Sequence, residues 1–243
     1  MQLNINNVEN KYRIDIDGLR ALAVIAVIVY HFNESILPGG YLGVDVFFVI
    51  SGFVITKSLS SRSYNSFIDL IFYFYTRRVK RILPALIACI AISSVLISFV
   101  NPTPNPSLKT GLFSIFGVSN FFLLQLSADY FGINAKYNLF THTWSLAVEE
   151  QFYLIFPFLF WFSGFAVRKY KGATIFFYLC VTLSSLSVLL FFYLNQNSPN
   201  AAFYLMPSRF WEIGIGCILF LIMHSHNNVL SYASRVISPS YIV

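Results

Sequence analysis

The sequence predicts an all-α fold: a polytopic transmembrane helical bundle of about seven spanning or re-entrant segments, forming one domain over residues 1–243. Three observations predict it. Mean hydropathy is +0.67, with 57% hydrophobic and only 11% charged residues, against about 25% charged in ordinary soluble domains. Apolar runs of spanning length recur, separated by Pro, Gly and Asn. Lys and Arg collect between the runs, as they do in cytoplasmic loops of membrane proteins. The net charge of +6 therefore reflects topology, and nucleic acid is not expected as a partner.

The first run, 17–33, holds Arg20 and His31 eleven residues apart. Eleven helical steps return to within roughly 20° of the start and rise about 16 Å. Both side chains thus share a face. With Arg20 at the inner edge of a hydrocarbon core about 30 Å thick, His31 reaches about mid-depth. Ionisable groups there are costly and face a polar cavity or a partner, so this helix is a functional-site candidate. The lead into it carries Asp15 and Asp17 without a small-residue cleavage site, which reads as an uncleaved first span.

Pro38-Gly39-Gly40 separates the second run, 43–59. The connection to the third, 82–100, carries Lys57, Arg62, Arg77, Arg78, Lys80 and Arg81 and should be cytoplasmic. The fourth run, 110–127, follows a Pro-rich stretch from Pro102 to Pro106, and the fifth covers 143–162. Arg168, Lys169 and Lys171 then also favour the cytoplasm, yet three full crossings between 82 and 162 would leave them outside. The 110–127 segment, with the mixed stretch Ser127 to Thr141 after it, is therefore expected to be re-entrant. The sixth and seventh runs, 173–194 and 209–223, flank Asn195 to Pro199.

Four groups could carry chemistry. Besides Arg20 and His31, the stretch THTWSLAVEEQFYLIFP places His142, Ser145, Glu149 and Tyr153 on one helical stripe. Glu150 points about 100° away, which favours Glu149 as the inward acid; an interfacial helix start is the other reading. YTRRVKRILP sets four cations within five residues, either an anchor on anionic lipid or a phosphate clamp. In SRFWEIGIG, Arg209 and Glu212 form an i,i+3 pair, structural or catalytic, while Gly214 and Gly216 permit close helix approach. Cys89, Cys180 and Cys217 lack ligand spacing and read as buried free thiols, and His224 and His226 alone make too weak a set for a metal; none is expected. By spacing alone, buried His, buried carboxylate and phosphate-seeking cations suit group transfer from a phosphorylated carrier or a proton-coupled transporter.

The segments IDGLRALAVIAVIVYHF, GYLGVDVFFVISGFVIT, FYTRRVKRILPA, HTWSLAVEEQFYLIFP and RFWEIGIG resemble, in order, the hallmarks of membrane acyltransferase family 3 over residues 12 to about 220. Its members are bacterial O-acyltransferases of the cell membrane that modify surface polysaccharides, lipopolysaccharide among them, or lipid-linked sugars. The resemblance implies that the chain lacks the family's last helices and the esterase-like domain some members append. Carried over by matching position, the family's Arg-x10-His pair falls on Arg20 and His31, its RxxR element on Arg78 and Arg81, and its WSLxxE acid on Glu149.

The resemblance implies acetyl-CoA, or another acyl-CoA, as donor substrate, with no tightly bound cofactor. His31 is expected as general base or transient acyl carrier, with Arg20 offsetting charge and Glu149 tuning the histidine or accepting a proton. Arg77, Arg78, Lys80 and Arg81 are expected to hold the CoA phosphates. His142, Tyr153, Arg209 and Glu212 are further substrate-binding candidates. The alternative is a non-catalytic remnant or transporter that binds acyl-CoA or lipid-linked sugar.

Overall fold

A computed structural model describes residues 14–128, 138–167 and 169–236, the side chains of 169, 170 and 225–236 excepted. The basic residues Lys11, Arg13 and Arg168, the side chains of Lys169 and His226, and most of the stretch after Ser127 lie outside the described residues. Among those described, the fold is all-α, with helices α1 (Ile14–Phe32), α2 (Gly43–Ser60), α3 (Phe67–Val100), α4 (Asn105–Ile115), α5 (Ser119–Ala128), α6 (Thr143–Phe162), α7 (Lys169–Asn197), α8 (Pro199–Tyr204) and α9 (Met206–Val236). A 3-10 turn, Gly40–Leu42, leads into α2.

Among the described residues, four stretches are long and apolar enough to cross a membrane: Gly40–Ser60, Phe67–Val100, Lys171–Asn197 and Pro199–His224. The others expected fall short for identifiable reasons. Asp15, Asp17 and Arg20 load α1 with charge, and adjacent Glu149 and Glu150 do the same to α6. The 110–127 segment is no single helix: α4 and α5 are 11 and 10 residues long and meet at Gly117, whose φ of +67° ends the first. The basic cluster at 77–81 is not a connecting loop either. Ser66 accepts the Asp69 amide at 3.1 Å and Asp69 accepts the Asn65 amide at 3.4 Å, so a capped start sets α3 going well before the cations.

The chain divides into two compact units. The first comprises Met1–Tyr64, Phe158–Ser184 and Trp211–Val243; the second comprises Asn65–Pro157 and Ser185–Phe210.

In the first unit, glycines bring backbones together. A Cβ on Gly40 or Gly43 would lie 2.3 or 2.4 Å from the Ala26 or Ala23 carbonyl oxygen, so the start of α2 rests against α1. Likewise α2 and α9 meet at Gly52 and Gly216, where a Cβ would lie 1.9 Å from the Ile213 or Val49 carbonyl. Small residues of this kind are how helices associate in lipid, where burial of apolar surface supplies little drive. Phe160, Phe165 and Phe176 fill the joint between α6 and α7, with ring centroids 4.8 to 5.9 Å apart.

In the second unit, polar groups bury themselves in pairs. Ser114 donates to Thr143 at 2.6 Å, Thr143 to Ser119 at 3.1 Å, and Asn138 to Thr110 at 2.7 Å. Gln151 donates to the Gly117 carbonyl at 2.9 Å and to Asn120 at 2.8 Å, clasping the α4–α5 break to α6. These matches satisfy groups that would otherwise be costly to bury. The expectation that all three thiols are buried fails for Cys89, which lies on the exposed second half of α3; Cys180 and Cys217 are buried.

Candidate functional site

In the first unit, α1 carries Arg20 and His31. The Arg20 guanidinium lies 5.8 Å from the Phe47 ring centroid of α2. Against the expectation of a buried histidine, His31 is exposed in the last turn of α1, and its Nδ1 lies 2.8 Å from the Val27 carbonyl oxygen one turn back. A carbonyl can only accept, so Nδ1 carries the proton. When the ring is neutral its lone pair then lies at Nε2, the form a general base needs. Tyr30 packs edge-on to the His31 ring at 5.4 Å and to Tyr41 at 5.5 Å. Glu212, on α9, is 1% exposed.

In the second unit, the stripe on α6 divides. His142 is exposed, whereas Glu149 and Tyr153 are buried, and the Tyr153 hydroxyl donates to Glu149 Oε1. Glu150 is half-buried and faces Gly117, where a Cβ would come 2.6 Å from its Oε2. The cations of α3 also divide. The Arg78 guanidinium lies 3.8 Å from the Tyr153 ring centroid and 5.7 Å from that of Phe74. Arg77, Lys80 and Arg81 are exposed, and Arg77 donates to the Tyr73 hydroxyl. Arg209 sits among rings of α6, α7 and α8: its guanidinium is 5.9, 5.5 and 5.2 Å from the centroids of Trp144, Phe191 and Phe203.

Sequence reasoning missed Tyr75. Pro157 has no N–H, so the Tyr153 carbonyl loses its helical donor. The Tyr75 hydroxyl approaches that carbonyl at 3.4 Å and the Leu154 carbonyl at 3.1 Å. The signal was a proline four residues after Tyr153 and a tyrosine beside the basic cluster. No group of three or more His, Cys, Asp or Glu side chains suited to a metal occurs among the described residues.

The family described as "Acyltransferase domain" matches residues 13–242. O-acetyltransferase OatA of Staphylococcus aureus is 38% identical over 215 residues in strain NCTC 8325 / PS 47 and in strain COL, covering 87% of this chain and 35% of that protein. A second protein of the species, from strain MSSA476, is 34% identical over 211 residues, covering 86% of this chain and 34% of its own length. The chain thus spans about a third of the length of the curated relatives it matches. No solved structure matches it.

Proposed function

The chain belongs to that acyltransferase family, and from this premise we propose that it is a multi-pass O-acyltransferase of the bacterial cell membrane. It moves an acetyl group from acetyl-CoA to a hydroxyl of a cell-surface polysaccharide or lipid-linked sugar. The observation that carries the chemistry is the His31 Nδ1 contact with the Val27 carbonyl at 2.8 Å, which leaves Nε2 as the basic atom. Nε2 takes the acceptor hydroxyl's proton as its oxygen attacks the thioester carbonyl. The new C–O bond forms, the C–S bond breaks, and the proton passes to the CoA thiolate.

The exposed cations Arg77, Lys80 and Arg81 are assigned to the donor's phosphates, which guanidinium forks match bidentately. Arg20 is assigned to offset charge on the carbonyl oxygen in the transition state. Glu149 is assigned a proton-accepting role. That OatA is named an O-acetyltransferase supports acetyl as the group moved.

Membranes containing the chain, incubated with radiolabelled acetyl-CoA, should place alkali-labile label on envelope polysaccharide or lipid-linked sugar. Absence of both label and CoA release would contradict the proposal.

A further inference from the structure

Arg78 shares a helix with the exposed cations but not their surroundings. It follows Phe74 by one turn, and Phe74 is 4% exposed. From there its guanidinium covers the Tyr153 ring at 3.8 Å, a stacking distance. Phe74 meets the same ring edge-on at 6.1 Å. Tyr75 holds the Tyr153 backbone from the next position along α3. The hydroxyl so placed donates to Glu149 Oε1 one turn earlier in α6. Three residues of α3 therefore grip one tyrosine of α6, Arg78 and Phe74 by its ring and Tyr75 by its backbone. Stacked on that ring, Arg78 is half-buried, whereas Arg77, Lys80 and Arg81 are exposed. A positive charge over the ring also polarises the phenolic O–H toward its acceptor.

We propose that Arg78 is a positioning residue, which by stacking on Tyr153 aims that hydroxyl at Glu149, and is not a ligand of the donor's phosphates. The effect on turnover rests on the acetyl-transfer reading above; the geometry of the tyrosine does not. The two roles separate kinetically. A phosphate ligand lost raises KM for acetyl-CoA, whereas a misplaced Tyr153–Glu149 pair lowers kcat.

The experiment uses the full chain in membranes with the substitutions Arg78→Met, Arg78→Lys, Arg81→Met, Tyr153→Phe and the double Arg78→Met/Tyr153→Phe. Arg78→Met should lower kcat about 10- to 100-fold with KM for acetyl-CoA within about twofold, the scale of a small misplacement. Arg78→Lys should restore part of the loss, because a cation returns to the ring. Tyr153→Phe should match Arg78→Met, and the double substitution should be no worse than either alone. Arg81→Met should act on KM instead. A rise in KM with kcat kept for Arg78→Met, or additive losses in the double, would overturn the assignment.

A second readout needs no turnover. The tyrosine doublet in ultraviolet resonance Raman spectra, taken as the intact chain minus Tyr153→Phe, reports how strongly this phenol donates. It should change with Arg78→Met and stay with Arg81→Met; no change with Arg78→Met would overturn the proposal. If the intact chain transfers no acetyl group, the functional reading fails and the Raman result alone decides the role of Arg78.

Discussion

Replacing Gly216 by alanine tests how α2 and α9 are joined. A Cβ there would lie 1.9 Å from the Val49 carbonyl oxygen, and real Cβ contacts essentially never fall below 3.0 Å. The backbones must therefore separate by at least about 1.1 Å at that level, and the neighbour is a carbonyl, with no rotamer to yield. Overpacking of this kind costs about 1–3 kcal/mol. For a chain of this length that is a fall in Tm of roughly 2–12 °C. Alanine favours a helix over glycine by about 1 kcal/mol, which works in the opposite direction.

Gly18→Ala measures that gain alone, since nothing lies within 4 Å of its Cβ position. Thermal unfolding of both variants in the same detergent micelle compares them directly. Gly52→Ala meets the Ile213 carbonyl at the same 1.9 Å, so the double Gly52→Ala/Gly216→Ala should lose less than the sum. A Gly216→Ala chain as stable as Gly18→Ala would refute the close approach.

Two further outcomes are expected from the second unit. Gly117→Ala should destabilise by about 1–2 kcal/mol from its φ of +67° alone, with the clash against Glu150 Oε2 added; adding Glu150→Ala should recover the clash but not the backbone part, and full recovery in thermal unfolding would count against this. Tyr75→Phe should cost about 0.5–1.5 kcal/mol, and less in a Pro157→Ala chain, where residue 157 regains an amide for the Tyr153 carbonyl. Equal losses in both backgrounds would mean that proline and hydroxyl are unrelated.

The helices most legible in the sequence are those whose apolar run matches their length. The fifth run, 143–162, is α6 residue for residue, and 43–59 differs from α2 by one. The third run starts at 82 because Arg77 to Arg81 has loop composition, whereas α3 begins at Phe67, where Ser66 and Asp69 spell a capping signal. The 110–127 run reads as one re-entrant segment, but the break between α4 and α5 within it depends on Gly117 and on partners from α6 more than thirty residues away. Periodicity placed Glu149 and Tyr153 on one stripe. It could not show that Arg78 alone among four neighbouring cations turns inward, because that choice is made by a ring on another helix. The Nδ1 proton of His31 was equally out of reach, being fixed by a carbonyl rather than by any side chain.

The central claim is that His31 Nε2 takes the acceptor's proton. Acetyl transfer from radiolabelled acetyl-CoA, measured side by side for the intact chain and His31→Ala in matched membrane amounts, tests it most directly. The expected result is a loss of about 10²-fold or more in His31→Ala, the scale of a removed general base. Transfer by His31→Ala at the rate of the intact chain would contradict it.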